Sequence, residues 1–400
     1  MQPKPPVRAL TLGVAAPHPL GEQEVRRAAE IIERAGAAFA AEGYEVQTLR
    51  LSTRPVLGDL AGWGREELAQ YACDLQAALD RAGVGFCSLG PAPVGAAPEA
   101  AAALVDMLAP GVVPHAGRGN PALSASVMVS TPEHGVHAGA ARAAADAMLA
   151  LAERTDQGLG NFNFAALGCV PPGTPFFPAA YHAGPTSLTV ALQGAGVVAE
   201  ALQAGAELGE VEGRVRAKLA EVAGPVVALA ERSAGGLGAC FGGVDLSPAP
   251  DGDDSIAGAI ELAGHGRFGA PGTLALAAAV TAGVRSTGLP GCGYCGLMLP
   301  VMEDSVLARR WEEGLVGMDQ LLAWSAVCGT GLDTVPVPGD SPAEVLAEVV
   351  CDMASLAARL QKPLSARLLP VPGKGAGEHS AFSSPYLVNT LIKPLCPPAR

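Results

Sequence analysis

The stretch Cys328-Gly-Thr-Gly-Leu-Asp-Thr-Val-Pro-Val-Pro-Gly-Asp340 separates two segments with helical patterns. Residues 320–327 before it carry apolar side chains at helical spacing. Ser341-Pro342-Ala343-Glu344 after it is typical of a helix start, with Ser at the N-cap, Pro at the first helical position and Glu three residues after the Ser. We therefore predict that a helix ends at Cys328 and that Asp333 opens a short strand over residues 334–337.

A thiol and a carboxylate five residues apart across this Gly-x-Gly turn would converge on one small volume. Cys328 is then a candidate nucleophile, provided that its thiolate is stabilised, and Asp333 is a candidate carboxylate for orienting a partner. The alternative is structural, because cysteine is among the most often buried residues and Gly331 would only supply a positive φ.

Strand patterns alternate with helical patterns along the chain, which implies parallel strand pairs joined by right-handed crossovers. Several strand patterns are apolar throughout, as expected for a sheet covered on both faces. Ser130-Thr131-Pro132-Glu133 has the pattern of another capping box, so a helix is predicted from there to about Arg154. The sequence predicts an α/β fold with about ten strands, at residues 8–14, 45–51, 84–89, 124–129, 161–168, 187–192, 240–246, 297–301, 334–337 and 364–371.

The motifs along the chain resemble those of one family, the bacterial and archaeal domain of unknown function 711. The resemblance rests on Cys-x-x-Gly-Leu-Asp-Thr-Val-Pro-x-Pro from Cys328 and, in order, on residues 8–13, 161–164, 171–182, 244–247, 296–304 and 367–374. It implies a fold similar to the α/β barrel of pyruvate formate-lyase, in a single barrel-like domain over residues 1–400 with a loop-rich C-terminal tail at 373–400. The family has no established reaction to carry over.

Glycyl-radical enzymes of that barrel fold carry the radical on a glycine in an Arg-Val-x-Gly-aromatic motif near the C terminus. Residues 373–400 contain no such motif, and the usual pair of cysteines at the barrel centre is not identifiable. We therefore expect no radical chemistry.

Charge and composition narrow the range of partners. A net charge of −13 argues against nucleic acid or an anionic membrane surface as the main partner, since both need a basic footprint, but it leaves a small anionic ligand open. No signal-peptide pattern and no apolar run long enough for a transmembrane helix is present in the sequence. Nine cysteines without a secretory signal indicate free thiols and a cytoplasmic location.

The low charged fraction, 16%, also bears on assembly. Helical segments at 138–151 and 274–284 are rich in alanine on more than one face, and exposed apolar surface usually marks an interface. The simplest expectation is a twofold homodimer. The alternative is that one large domain encloses these helices.

A proline-rich loop, residues 169–184, follows one strand and ends near His182. Its prolines reduce the entropy lost when the loop is ordered over a site. His182 is therefore a candidate catalytic acid or base, against a structural role that is equally open.

Glu303 and Asp304 follow the strand predicted at 297–301. Two adjacent carboxylates at a strand end are candidate ligands of a divalent cation, and the alternative is that they only favour the dipole of the next helix. Cys292-Gly-Tyr-Cys295 is a single CxxC motif, and Glu133-His-Gly-Val-His137 lacks the spacing of a zinc helix, so both are weak metal signals.

Other polar residues are candidates for substrate binding because they stand at strand ends or in glycine-rich loops. Residues 264–273 form a glycine-rich loop that enters a helix and includes Arg267, and its backbone amides would hold an anion. The loop matches no nucleotide-binding motif. The candidates for substrate binding are Asn161, Asp245, Ser247, Arg267 and Arg367.

Together these features predict a non-radical cytoplasmic enzyme that acts on a small polar or anionic metabolite by hydrolase or lyase chemistry. A divalent metal is a candidate cofactor. The alternative is a non-catalytic protein that binds or senses a metabolite, which would show a pocket without titratable groups of shifted pKa.

Overall fold

One sheet organises residues 4–95, 98–109 and 123–395, the part of the chain that this computed structural model describes. In that part the sheet has ten strands, in the order β8-β7-β1-β2-β3-β4-β6-β10-β9 with β5 beside β4. The strands are β1 (Val7–Gly13), β2 (Val46–Ser52), β3 (Cys87–Ala92), β4 (Leu123–Thr131), β5 (Gly135–Val136), β6 (Phe164–Gly168), β7 (Ser187–Gln193), β8 (Cys240–Ala249), β9 (Gly331–Pro338) and β10 (Leu364–Val371).

Helices connect most of the strands and cover the outer face of the sheet. They are α1 (Glu22–Ala41), α2 (Val56–Asp59), α3 (Arg65–Arg81), α4 (Pro98–Leu108), α5 (Ala138–Arg154), α6 (Ala195–Leu202), α7 (Leu208–Gly236), α8 (Ile256–Glu261), α9 (Thr273–Arg285), α10 (Ser305–Glu312), α11 (Met318–Ser325) and α12 (Ala343–Leu360), with a 3-10 helix at Asp156–Asn163. No helix in the described ranges is both long and apolar enough to span a bilayer.

The strands run in two opposed parallel groups. β1, β2, β3, β4 and β6 are parallel to one another. β7 is antiparallel to β1 and parallel to β8, and β10 is antiparallel to β6 and parallel to β9. The amino ends of the first group therefore share a rim with the carboxyl ends of the second.

The sheet does not close into a barrel, which corrects the expectation of a barrel-like sheet. β8 and β9 are its edge strands, and residues 291–301 lie between them with one isolated bridge to each, Val244–Gly291 and Pro300–Asp333. The strand predicted at 297–301 is thus a single bridge. The N–H of Leu297 donates to the hydroxyl of Thr281 at 3.2 Å and not to a neighbouring strand.

The predicted helix start at Ser130 is also wrong. β4 continues to Thr131, and after a turn β5 pairs back on it. Thr131 Oγ1 accepts the N–H of His134 at 3.2 Å, so the side chain closes a turn and caps no helix. α5 begins at Ala138, where the ring of His137 accepts the N–H of Ala140 at 3.1 Å.

The two faces of the strands differ in polarity. Alternate residues of β4 and β10, such as Leu123, Ala125 and Leu364, pack outward in the main hydrophobic core with the helices. A small cluster, which includes Ala9, Met128 and Tyr294, lies on the inner face. Polar residues occupy many other inward positions, and they line the cavity described next.

Candidate functional site: an arginine-lined cavity

A cavity of about 420 Å³ lies against the inner face of the sheet. Three arginines from three strands line it: Arg8 on β1, Arg50 on β2 and Arg367 on β10. Four carboxylates line the same space, those of Glu45, Asp251, Glu303 and Asp333. The remaining walls are mostly aromatic and small apolar side chains, among them Phe86, Phe162, Ala165, Phe176, Phe177, Met298 and Tyr386.

Two of the arginines are paired with two of the carboxylates. Arg8 Nη2 lies 3.2 Å from Glu303 Oε2, and Arg367 Nη2 donates to Glu303 Oε1. Arg367 Nε also donates to Asp333 Oδ1 at 2.7 Å. Burial raises the pKa of Glu303, and the nearby Arg367 opposes that shift. The charges of these four groups therefore balance.

Arg50 is different, because no carboxylate of the described residues lies within ion-pair distance of it. The residue is only 8% exposed, and its Nε donates to Thr48 Oγ1 at 2.8 Å. Its guanidinium carbon lies 5.0 Å from the ring centre of Phe86 and 5.2 Å from that of Phe177. Burial, with Arg8 nearby, lowers the pKa of Arg50 to about 9, so the side chain is still charged at pH 7.

The signature stretch that follows α11 contributes Thr330 and Asp333 to the cavity. A Cβ at position 329 would lie 2.7 Å from the backbone of Gly296, so only glycine allows this close approach of the two segments. The carbonyl of Thr330 accepts the N–H of Ser365 at 2.7 Å, which ties the turn to β10.

Cys328 does not share the cavity with Asp333. It is 2% exposed and belongs to the main hydrophobic core. Burial raises the pKa of its thiol to about 12. Lys362 Nζ donates to its carbonyl and, at 2.9 Å, to that of Ser325, so this lysine satisfies the last carbonyls of α11. A role as nucleophile finds no support in this setting.

His182 also lies away from the cavity, by the carboxyl ends of β1 and β2. Its N–H donates to the carbonyl of Thr53 at 2.9 Å, and its ring packs so closely on Gly13 that a Cβ there would lie 2.1 Å from Nδ1. Nε2 donates to the carbonyl of Gly184 at 3.2 Å. Burial lowers the pKa of His182. The ring holds the end of the 169–184 loop.

Asp304 begins two helices at once. Its carboxylate accepts the N–H groups of Ile256 and Ala257 in α8 and those of Val306 and Leu307 in α10, at 2.9 to 3.1 Å. The hydroxyl of Ser255 is a fifth donor. These five donors occupy the lone pairs that a cation would need, so the structure argues against a metal ligand at this position.

Asp245 is fully buried and holds the 291–301 segment against β8. It accepts the N–H groups of Tyr294 and Cys295 at 2.7 and 3.0 Å, and the hydroxyl of Ser247 at 2.6 Å. Burial raises the pKa of Asp245, whereas these hydrogen bonds favour the ionised form. Neither Asp245 nor Ser247 lines the cavity.

The last two predicted binding residues lie elsewhere. Asn161 is buried beside α5, where its amide donates to the carbonyl of Met148 at 2.8 Å. Arg267 is on the surface, with its side chain 68% exposed and 3.6 Å from Glu313. Of the predicted site residues, the structure thus brings together Asp333, Arg367 and Glu303 in one cavity.

Sequence reasoning missed Arg8 and Arg50, although a signal for them exists. In β2, Leu49 and Leu51 point to the helices while Thr48 and Arg50 point inward. A charged residue at the inward register of a sheet whose other face is apolar predicts a polar interior. In the described part of the chain no group of three or more His, Cys, Asp or Glu side chains could hold a metal ion.

Comparison with known proteins identifies the family to which this chain belongs. Residues 2–383 match the family described as Uncharacterised ACR (DUF711). A UPF0210 protein of Methanopyrus kandleri is 32% identical over 403 residues, which cover 93% of this chain and 87% of that protein. A UPF0210 protein of Pyrobaculum aerophilum is 32% identical over 86% of this chain and 78% of its own length. The chain therefore belongs to the uncharacterised DUF711 family.

Proposed function

We propose that this protein binds a small anionic metabolite in the arginine-lined cavity, with Arg50 as the anchor for the anion. The observation that carries the proposal is the buried guanidinium of Arg50, which has no acidic partner among the described residues. Arg8 and Arg367 are paired with Glu303 and Asp333, whereas no ion pair among the described residues joins Arg50 to these carboxylates or to Glu45 and Asp251, the other two that line the cavity.

An unpaired buried charge is unfavourable, because the surroundings do not replace the hydration that it loses. A carboxylate or phosphate group would supply both the opposite charge and acceptors for the free N–H groups of the guanidinium. Arginine is suited to this task because its planar fork binds such groups through two parallel hydrogen bonds. The packing of Phe86 and Phe177 against the guanidinium limits its movement before the ligand arrives.

We further infer acid–base chemistry of hydrolase or lyase type, with Glu303 as the titratable group. Burial raises the pKa of Glu303, which is the direction of shift that carboxyl groups in acid–base catalysis show. The alternative, a non-catalytic metabolite-binding protein, is favoured by a different observation: the carboxylates of Glu303 and Asp333 are already engaged by arginines.

The proposal extends to the domain organisation, the location and the assembly of the protein. We infer that residues 1–400 form one domain with a pyruvate formate-lyase-like fold, located in the cytoplasm and assembled as a homodimer. Support comes from the two opposed strand groups of a single sheet and from exposed apolar side chains such as Leu274 on α9.

Calorimetric titration of small mono- and dicarboxylates and of phosphate esters tests the anchor. Arg50→Gln is expected to weaken binding roughly 10- to 100-fold, the range for loss of a charge-assisted hydrogen bond. Arg267→Gln is the matched control, since it removes an exposed arginine outside the cavity, and its affinity should equal that of the wild type. Equal binding by Arg50→Gln and the wild type would refute the proposal.

A second measurement separates the enzyme from the binding protein. Each acid that binds is incubated with the protein and followed by NMR. Conversion that Glu303→Gln abolishes, while the variant still binds, supports acid–base catalysis. An acid that raises the melting temperature but stays unchanged over days supports the non-catalytic alternative.

A further inference from the structure

Two hydroxyl groups on the cavity wall have no hydrogen-bond partner among the described residues. They are Ser124 Oγ and Thr330 Oγ1, and each residue is 3% exposed. Proteins satisfy nearly all of their buried polar groups with protein or water partners, and an unsatisfied one is unfavourable by about 1–3 kcal/mol. Two such groups on one cavity wall therefore point to a molecule that fills the space between them.

The surrounding protein cannot satisfy Thr330 by a small adjustment. The neighbouring hydroxyls are already used: Tyr294 Oη donates to Ser365 Oγ at 3.1 Å, and Ser365 Oγ donates to the Thr330 carbonyl at 3.0 Å. The backbone at 329–331 is held by its close contacts with Gly296 and β10. These hydrogen bonds end at the Thr330 carbonyl and leave the Thr330 hydroxyl without a partner among the described residues.

Ser124 stands on the same inner face as Arg50. It lies on β4 in register with Ser88 of β3, and Arg50 lies on β2. Ser88 pairs in turn with Ser52 of β2, two residues after Arg50. With strands about 4.8 Å apart and a rise of about 3.3 Å per residue, Arg50 and Ser124 are roughly 12 Å apart along the sheet. Thr330 precedes β9, three strand positions from β4. One ligand anchored at Arg50 would therefore need polar groups along its body and not only at its charged end.

We propose that the anion bound in this cavity is a hydroxylated acid, with its carboxylate or phosphate on Arg50 and its hydroxyl groups on Ser124 and Thr330. The inference rests on the proposed function and deepens it to a substrate class. A serine or threonine hydroxyl both donates and accepts, which matches a ligand hydroxyl in either orientation.

Matched pairs of ligands test this class by calorimetric titration. D-gluconate is compared with hexanoate, and sorbitol 6-phosphate with hexyl phosphate, so that the two open-chain members of each pair differ only in their hydroxyl groups. The two pairs also distinguish a carboxylate from a phosphate head. We expect the hydroxylated member of at least one pair to bind 10-fold or more tightly, since a site built for hydroxyls is left with unpaired groups by an analogue that lacks them.

Variants locate the effect in the two side chains. Ser124→Ala and Thr330→Val should each weaken binding of the hydroxylated acid about 5- to 10-fold and leave binding of the matched deoxy acid unchanged. Ser126→Ala is the matched control, because Ser126 is on the same strand, is buried and lacks a partner, but does not line the cavity. Its affinities should equal those of the wild type.

The outcomes separate the two proposals. Equal affinities within both pairs, or equal losses of both members in Ser124→Ala and Thr330→Val, would overturn the hydroxylated-acid inference while leaving the anion site intact. Failure of every acid to bind, or indifference of all four ligands to Arg50→Gln, would overturn the anion site itself, and the inference would fall with it.

Discussion

Asp304 and Glu303 are adjacent in sequence, but Asp304 caps two helices whereas Glu303 faces the cavity. Replacing Asp304 by Ala tests this difference. The change removes the acceptor of four backbone N–H groups at the starts of α8 and α10. Loss of one N-cap is unfavourable by about 1–2 kcal/mol, and here two are lost together. Most of the N–H groups that lose Asp304 as their acceptor are buried, and leaving them unsatisfied adds about another 1 kcal/mol or more to the loss of stability.

The expected loss of stability is therefore about 3–5 kcal/mol. At an unfolding entropy of about 2.1 cal/mol/K per residue, a chain of 400 residues has about 0.8 kcal/mol/K, so the melting temperature should fall by about 4–6 °C. Thermal unfolding followed by circular dichroism measures this shift. Asp319→Ala is the control, since Asp319 is an exposed carboxylate in the first turn of α11 and caps nothing through its side chain. Its shift should stay within about 1 °C.

The same experiment examines the metal hypothesis. If Asp304 were a ligand, Mg²⁺ or Mn²⁺ would raise the melting temperature of the wild type, and the Asp304→Ala variant would lose that response. A cation-dependent rise that the substitution abolishes, together with a small shift in the absence of cations, would refute the capping argument.

Three further predictions concern the pH dependence of stability, the reactivity of the thiols and the oligomeric state. Burial between Tyr71 and Thr53 lowers the pKa of His18 to about 4, so the folded protein binds fewer protons than the unfolded chain and its stability should fall by up to about 3 kcal/mol as the pH drops from about 6.5 to 4. Urea denaturation at several pH values measures this fall, and His18→Gln should reduce it. An unchanged pH dependence in the variant would contradict the prediction. Iodoacetamide at pH 8 should label the exposed Cys73 and Cys240 within minutes and leave Cys328 unlabelled in a peptide map, and rapid labelling of Cys328 would contradict its burial. Light scattering should give twice the chain mass, and a value of 40.1 kDa would exclude the predicted dimer.

Much of the fold was open to prediction because periodic patterns report local structure. The alternation of strands and helices, nine of the strand positions and the turn at 328–333 are confirmed. The predicted strand at 297–301 failed because the segment makes a single bridge to β9 and the N–H of Leu297 donates to a side chain, that of Thr281. The helix start at Ser130 failed because the capping pattern also suits a turn that returns the chain to β4.

The candidate site was predicted less well, and for a physical reason. The prediction looked for loops after strands, as in sheets whose strands all run one way. Here two strand groups run in opposite directions, and the cavity draws Arg8, Arg50 and Arg367 from within strands. Local sequence also cannot separate a carboxylate that caps helices, such as Asp304, from one that faces a cavity, such as Glu303. That distinction depends on which distant segment packs against each.

The ion pair of Arg8 and Glu303 joins residues that are 295 positions apart in the chain. At a synthesis rate of about 5–20 residues per second, the ribosome adds Glu303 roughly 15–60 s after Arg8. Arg367 and Tyr386, on the far wall of the cavity, follow later still. A nascent chain therefore carries Arg8 and Arg50 for most of its synthesis without the walls that enclose them. The cavity is complete only near the end of translation, so the proposed ligand would stabilise the finished protein and would not assist the folding of the first strands.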